Sequence, residues 1–130
     1  AEPENWRVRS ALGAALDQLG RFQEARQAYQ EALALQPNNA GILTNLGVSH
    51  IMAGEPDDAE PILRQAVALP GAPAEARQNL AIAVALQGRF DEAEQIERVD
   101  LPPAQAAQNI QYLRGLLSDP RRWNDMGRGR

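Results

Sequence analysis

Asn45 and Asn79 are the two residues whose type and spacing best suit this chain for binding a ligand. Each asparagine side chain carries a carbonyl oxygen and an amide group, so it can both accept and donate hydrogen bonds. Placed at equivalent positions 34 residues apart, the two can pair with the backbone of an extended peptide without reading its side chains. Asn109 adds a third such group if the frame of the sequence shifts near its end. The alternative is that these asparagines cap neighbouring helices or face water.

Motifs for catalysis or metal binding are weak by comparison. The chain has no cysteine, which excludes disulfides, thiolate metal sites and cysteine nucleophiles. His50 is its one histidine, and it belongs to no recognisable catalytic motif, so we expect a packed, hydrogen-bonded residue. Four acids follow closely, but they lack the spaced ligands and central glycine of a calcium loop and suit the start of a helix. These acids are Glu55, Asp57, Asp58 and Glu60. We therefore expect neither an enzyme nor a cofactor or metal.

The net charge narrows the classes of partner. At 130 residues the chain forms one domain, and its formal net charge of −4 argues against a general nucleic-acid binder. Residues 114–130 are the exception, with five arginines against two acids. This basic end can touch an acidic partner or a membrane surface, although a solvated, loose end is the simpler interpretation. No apolar run approaches the roughly 20 residues that span a bilayer.

A 34-residue period organises these residues into three units. It is carried by a leucine followed by a small residue, by a glycine and by an alanine. The recurring positions are Leu12-Gly13, Leu46-Gly47 and Leu80-Ala81; Gly20, Gly54 and Gly88; and Ala25, Ala59 and Ala93. A fixed period of roughly 20–50 residues indicates supersecondary units stacked into a solenoid. A binding scaffold is therefore favoured over an enzyme.

Apolar residues spaced three and four apart predict two helices in each unit. The expected helices are about 4–18, 22–35, 41–52, 56–69, 74–87, 90–99 and 103–118. The first of them has an apolar stripe made of Val8, Ala11, Leu12, Ala15, Leu16 and Leu19. We expect one all-α domain over 1–118, with units at about 6–39, 40–73 and 74–101, a capping helix at about 103–118 and a loose tail over 119–130.

The repeated residues resemble the tetratricopeptide repeat (TPR), a 34-residue helix–turn–helix unit. Unit one carries the pattern most fully, with Leu12-Gly13, Leu16, Gly20, Phe22, Ala25, Tyr29, Ala32 and Pro37. Unit two departs from it at His50 and Pro56, which stand where aromatic residues are usual. The resemblance implies an all-α TPR solenoid, in which small residues let paired helices approach closely. A bulky side chain at Gly13 or Gly47 would overpack the pair at a cost of roughly 1–3 kcal/mol.

The resemblance also implies a concave groove lined by the first helix of each unit. The residues expected to face it include Arg7, Ser10, Asp17, Thr44, Asn45, Val48, Gln78, Asn79, Ile82 and Asn109. Asn45 and Asn79 resemble the asparagine ladders with which some TPR proteins hold peptides. The carboxylate-clamp TPR proteins, which bind chaperone C-termini, also use an asparagine, but Ser10, Ala14 and Gln78 stand where they need cations. Binding of a chaperone tail is therefore not expected.

A narrower resemblance concerns the C-terminal half. The stretches 77–81, 86–90, 100–103 and 109–114 are similar to TadD-type proteins, TPR proteins of the bacterial Tad (Flp) pilus assembly system. That family commonly comprises outer-membrane lipoproteins facing the periplasm that help the pilus secretin assemble. The resemblance implies a periplasmic protein, outer-membrane-anchored in its full-length form, with a secretin or another assembly component as partner. The lipidated cysteine expected in that family is absent here, and a cytoplasmic location is the alternative.

Taken together, these features predict a protein-interaction module that captures a peptide or helix in its concave groove. The alternative is a structural scaffold that acts through its convex face or by self-association. An enzyme would need a site built from His50 and scattered acids, and no motif supports one.

Overall fold

The computed structural model describes residues 5–118, which form seven α-helices and no strand. In chain order the helices are α1 (Trp6–Gln18), α2 (Phe22–Leu35), α3 (Ala40–Met52), α4 (Pro56–Ala68), α5 (Ala74–Leu86), α6 (Phe90–Glu97) and α7 (Pro103–Leu117). The predicted ends agree with these bounds to within two residues. The all-α solenoid predicted from the sequence is thus confirmed. The tail expected over 119–130 lies outside the described residues, as do residues 1–4.

Short-range signals in the sequence set the helix ends. Asn38 and Asn39 both precede α3 and suit an N-cap, and the Asn39 side chain takes this role by accepting a hydrogen bond of 3.1 Å from the Ile42 amide. Pro56 lies in the first turn of α4, where its missing amide hydrogen costs nothing. The glycine between the two helices of each pair has a positive φ, about the same in all three units, which is strained for other residues. These glycines are Gly20, Gly54 and Gly88.

The two helices of each pair approach closely at a small residue of the first helix. A Cβ atom added to Gly13 would lie 2.6 Å from Cε1 of Tyr29, and one added to Gly47 would lie 2.5 Å from Cγ of Leu63. Ala81, fully buried, takes the equivalent place in the third pair. The structure therefore confirms why the sequence repeats a small residue here.

The pairs stack into a curved array. Besides the contacts within pairs, α1 contacts α3, α3 contacts α5 and α5 contacts α7, which places the odd-numbered helices on the concave side. The seventh helix packs on α5 and α6 and closes that end, where Ile110 joins the core around Leu80 and Val84. The concave surface is therefore a row of four helices.

The apolar stripe of α1 is mostly exposed. Val8, Leu12 and Leu19 expose 61%, 51% and 67% of their surface. The equivalent residues of α3, Ile42 and Leu46, are buried because α2 of the preceding pair packs over them. No described helix precedes α1, so its stripe has no such cover. No helix of residues 5–118 has the length and apolar character needed to cross a bilayer.

Candidate binding groove

Two recesses open along the row of odd-numbered helices. The N-terminal recess lies between α1, α3 and the start of α5 and has a volume of about 300 Å³; its lining includes Trp6, Ser10, Ile42, Thr44, Asn45, Pro73 and Glu75. The C-terminal recess lies between α5, the α6–α7 turn and α7 and has a volume of about 690 Å³. Its lining is Gln78, Ile82, Glu97, Leu101, Pro102, Gln105, Asn109, Tyr112 and Leu113. Helix α5 contributes to both recesses, with Glu75 in the first and Gln78 and Ile82 in the second.

The residues expected in the groove divide between these recesses. Ser10, Thr44 and Asn45 meet in the N-terminal recess. Gln78, Ile82 and Asn109 meet in the C-terminal recess. The four others, Arg7, Asp17, Val48 and Asn79, line neither.

Arg7 and Val48 lie outside both recesses. The Arg7 guanidinium carbon lies 4.5 Å from the centre of the neighbouring Trp6 ring, so this exposed cation stacks on its own helix. Val48 is partly buried on α3. Their assignment to a binding surface stays a prediction.

The three asparagines differ in how far their hydrogen bonds are already used. Asn45 is exposed, and its Nδ2 lies 3.5 Å from Oγ of Ser10, at the outer limit of a hydrogen bond. Asn79 donates at 2.8 Å to the Glu75 carbonyl of its own helix. Asn109 donates at 2.9 Å to the Glu97 carboxylate. Of the three, Asn45 retains most of its capacity for a ligand.

Two residues expected to face the groove are buried. Thr44 is 5% exposed, and its hydroxyl donates at 2.7 Å to the Ala40 carbonyl one turn earlier. Asp17 is 5% exposed and is enclosed by side chains from α2 and α3. The expectation that Asp17 faces the groove is therefore wrong, because side chains from α2 and α3 cover it. Thr44 does line the N-terminal recess, but its hydroxyl is already bonded within its own helix.

Asp17 is the centre of a buried polar network that the sequence analysis missed. Its two carboxylate oxygens accept hydrogen bonds from the Tyr29 hydroxyl at 3.0 Å and the Ser49 hydroxyl at 2.7 Å. Burial, reinforced by the hydrogen bond to Asp17, raises the pKa of Tyr29 above its ordinary value. The network joins α1, α2 and α3, so it positions the helices that form the N-terminal recess.

A second cluster of polar side chains surrounds His50 near the turn between α3 and α4. His50 Nδ1 lies 2.9 Å from Oε1 of Glu55, and Nη1 of Arg26 lies 2.8 Å from the same oxygen. The hydrogen bond with His50 and the charge of Arg26 lower the pKa of Glu55. Ligand atoms of His50, Glu55 and Asp58 lie within 4.8 Å of one another, a spacing that suits a metal ion. Arg26 already supplies a positive charge to Glu55, so the geometry favours an ion-pair cluster.

Glu97 brings an unexpected charge to the C-terminal recess. Its side chain is 8% exposed, and it occupies the position that Tyr29 and Leu63 hold in the first two units. That departure from an apolar residue was visible in the sequence, although its place in a recess was not. Glu97 and Glu75 are the charged residues lining the two recesses, and no cation lines either within residues 5–118.

Comparisons with known proteins agree with this architecture. The sequence profile of the tetratricopeptide repeat matches residues 18–71 and 50–118. Among solved structures, the first TPR of Spaghetti (RPAP3) bound to the HSP90 peptide SRMEEVD has 18% identity and a TM-score of 0.73, with 92% of this chain and 100% of that chain covered. The NMR structure of the first TPR domain of the human RPAP3 protein has 19% identity and a TM-score of 0.74, with 90% and 95% covered. No curated protein sequence matches the chain.

Proposed function

The chain belongs to the tetratricopeptide repeat family, and we propose that it is a protein-interaction module that captures a peptide or short helix in its concave groove. The observation that carries this proposal is the Asn45 side chain, exposed in the N-terminal recess and only weakly engaged by Ser10. Its amide and carbonyl can pair with a peptide backbone running across α1, α3 and α5. The first TPR of Spaghetti has the same fold and is bound to a peptide, which supports a peptide as the kind of ligand.

The expected ligand differs from the acidic peptide in that related structure. The peptide SRMEEVD carries carboxylates, which a groove binds with cations. Glu75 and Glu97 line the recesses here. By the resemblance to carboxylate-clamp TPR proteins, Ser10 and Gln78 stand where those proteins need cations. An acidic C-terminal peptide is therefore a poor ligand for this groove.

Peptide selection followed by calorimetry tests the groove. Peptides are selected from a displayed random library on the wild-type chain, and their affinities are measured for Asn45→Ala and Asn79→Ala. We expect about a tenfold loss for Asn45→Ala, because one or two hydrogen bonds are removed, and a smaller loss for Asn79→Ala, whose amide already bonds Glu75. The matched control replaces two exposed amides of α2 and α4, Gln30→Ala and Gln65→Ala. Equal affinities of the Asn45 and control variants would place binding outside the groove.

We further propose that the partner is a secretin or another component of a bacterial Tad (Flp) pilus, and that the protein acts in the periplasm as part of an outer-membrane-anchored chain. The support is the similarity of the stretches 77–81, 86–90, 100–103 and 109–114 to TadD-type proteins. In the fold, Arg77 and Asp100 from two of these stretches form an ion pair of 2.8 Å that joins α5 to the α6–α7 turn. Neighbouring genes that encode no secretin, pilin or assembly ATPase would count against this role, as would recovery of the protein in the cytoplasmic fraction.

A structural scaffold that works by self-association is the second candidate function. The observation that favours it is the exposed apolar stripe of α1, where Val8, Leu12 and Leu19 are each more than half exposed. A second copy that covers this stripe would bury apolar surface in the way α2 does over α3. Sedimentation analysis over a range of concentrations tests this function. A mass that rises with concentration, and that Leu12→Gln returns to the monomer, would support the scaffold; a constant monomeric mass would exclude it.

A further inference from the structure

We infer that the C-terminal recess receives an arginine or lysine side chain of the bound peptide, with the Glu97 carboxylate as its counter-charge. The inference rests on the proposed groove function and specifies the chemistry of its ligand. The recess is a cavity of about 690 Å³ at the end of the row of odd-numbered helices, large enough for one long side chain and the backbone that carries it. Glu97, the last residue of α6, is the one charged residue among 5–118 that lines it.

The carboxylate of Glu97 has no cationic partner within residues 5–118. Its side chain is 8% exposed, and a charge so deeply buried is usually paired. Its hydrogen bond comes from the neutral amide of Asn109, at 2.9 Å on Oε1. The two nearby arginines are committed elsewhere, Arg98 to Glu94 at 2.7 Å and Arg77 to Asp100 at 2.8 Å. A ligand cation would therefore supply a partner that the described chain does not.

The remaining walls of the recess suit a long cationic side chain. Ile82 and Leu101 offer apolar surface for its aliphatic stem. Tyr112, which is 67% exposed, presents a ring on which a guanidinium group can stack. Gln78 and Gln105 can hydrogen-bond the adjoining peptide backbone. An acidic side chain in the same place would meet the charge of Glu97 and be repelled.

Paired substitutions in the protein and the peptide test this inference. The probes are peptides selected on the wild-type chain and their variants with each arginine or lysine changed to glutamine. The protein variant is Glu97→Gln, which removes the charge and keeps an oxygen that can accept from Asn109. The matched control is Glu94→Gln on the same helix, since Glu94 pairs with Arg98 and lines neither recess.

We expect cationic residues to be enriched among the selected peptides. Glu97→Gln should lower the affinity for these peptides about tenfold. The glutamine variants of the same peptides should bind Glu97→Gln and the wild type with equal affinity. Glu94→Gln should bind like the wild type. If Glu97→Gln does not fold, Gln105→Arg at an exposed position of the same recess provides the test, because its own cation should compete with that of the peptide. No enrichment, or equal binding by these recess variants and the wild type, would overturn the inference. Failure to select any peptide that depends on Asn45 would instead refute the proposed groove function.

Discussion

At the scale of single residues, the hydroxyl of Tyr29 connects the repeat pattern to a buried polar network. Its ring fills the space left by Gly13, and its hydroxyl donates to Asp17, which also accepts from Ser49. Tyr29 is 1% exposed and Asp17 is 5% exposed, so neither group has water as an alternative partner. A hydrogen bond to a buried carboxylate contributes more than a bond between neutral groups.

Tyr29→Phe is expected to lower the free energy of unfolding by roughly 1.5–3 kcal/mol, because it removes one donor from the Asp17 carboxylate and leaves the ring in place. The matched control is Tyr112→Phe, which removes the same hydroxyl at a position that is 67% exposed, and its effect should stay within about 0.5 kcal/mol. Urea denaturation of the three proteins at pH 7 measures both. Equal effects of the two changes would mean that the Tyr29–Asp17 bond adds nothing.

The raised pKa of Tyr29 makes the stability of the fold depend on pH in the alkaline range. Burial raises this pKa in the folded state above the ordinary value of 10.0, so the associated stability is present below pH 10.0 and is lost as the pH rises toward the folded pKa. Above pH 10.0, the free energy of unfolding of the wild type should therefore fall more steeply than that of Tyr29→Phe.

Part of this picture at the scale of residues was predictable from the sequence. Tyr29 belongs to the predicted repeat pattern, because that assignment depends on the residue's own type and its spacing in the chain. The burial of Asp17 was not predictable, because its two hydrogen-bond partners, Tyr29 and Ser49, come from different helices. Ser49 takes a small-residue position that alanine holds in the other units, so nothing local marks its hydroxyl as a hydrogen-bond donor.

At the scale of helices, close packing of the first two pairs depends on the glycine in the middle of the first helix, Gly13 in α1 and Gly47 in α3. Gly47→Ala is expected to lower the free energy of unfolding by roughly 1–3 kcal/mol, because the new Cβ would lie 2.5 Å from Cγ of the fully buried Leu63. The control is Gly115→Ala in α7, where no heavy atom lies within 4 Å of the added Cβ and φ is not positive. That change should stabilise the chain by up to about 1 kcal/mol through helix propensity. Thermal and urea unfolding measure whether each change raises or lowers the free energy of unfolding. No effect of Gly47→Ala would show that the Leu63 side chain can move aside.

Ion pairs join α4 to the loop before α6 through Glu60. Its carboxylate accepts hydrogen bonds from Arg89 at 2.8 and 3.0 Å, from Gln87 at 2.9 Å and from Arg64 at 2.9 Å. The bonds from Arg89, the strongest influence, together with those from Gln87 and Arg64 lower the pKa of Glu60 to about 2. Because this folded-state pKa lies below the ordinary 4.5, the associated stability is present above pH 4.5 and is lost as the pH falls toward 2.

Glu60→Gln should therefore be less stable than the wild type at pH 6, and the difference should shrink as the pH falls from 4.5 to 2.5. We expect about 1–2 kcal/mol at pH 6, since the Glu60 side chain is 14% exposed but its arginine partners are more than 40% exposed and are screened by solvent. Glu24→Gln, which breaks an exposed pair with Arg21, is the control and should show little change at either pH. A difference that is independent of pH would contradict the role of the carboxylate charge.

The bounds of the helices were predictable because glycine, proline and apolar spacing are local signals. The outline of the groove followed from the resemblance to the TPR. The residues placed in it that do line its recesses are Ser10, Thr44, Asn45, Gln78, Ile82 and Asn109. Whether they bind a ligand stays a prediction. The bonds that Asn79 and Asn109 make with Glu75 and Glu97 were not predictable, because they depend on side-chain conformations and on how α7 packs against α6.

At the scale of the whole molecule, a repeat position does not have one fixed environment. Leu12, Leu46 and Leu80 are equivalent in the 34-residue pattern, yet they are 51%, 6% and 4% exposed. In a stack of repeats each unit contacts only its neighbours, so the burial of a position depends on whether a preceding pair covers it. The 34-residue period therefore predicts the type of residue at each position. It predicts the burial of that residue only in units that a preceding pair covers.

The three leucines provide a test of the state of the α1 stripe in solution. Leu46→Ala and Leu80→Ala should each cost roughly 2–5 kcal/mol, because each opens a cavity in a packed interface. Leu12→Ala should cost less than about 1 kcal/mol at low protein concentration, since half of its side chain already contacts water. Urea denaturation at two protein concentrations measures all three. If Leu12→Ala becomes costly only at the higher concentration, a second copy covers the stripe and the scaffold function is favoured. If its cost matches that of Leu46→Ala at both concentrations, the exposed position of Leu12 in the fold is wrong.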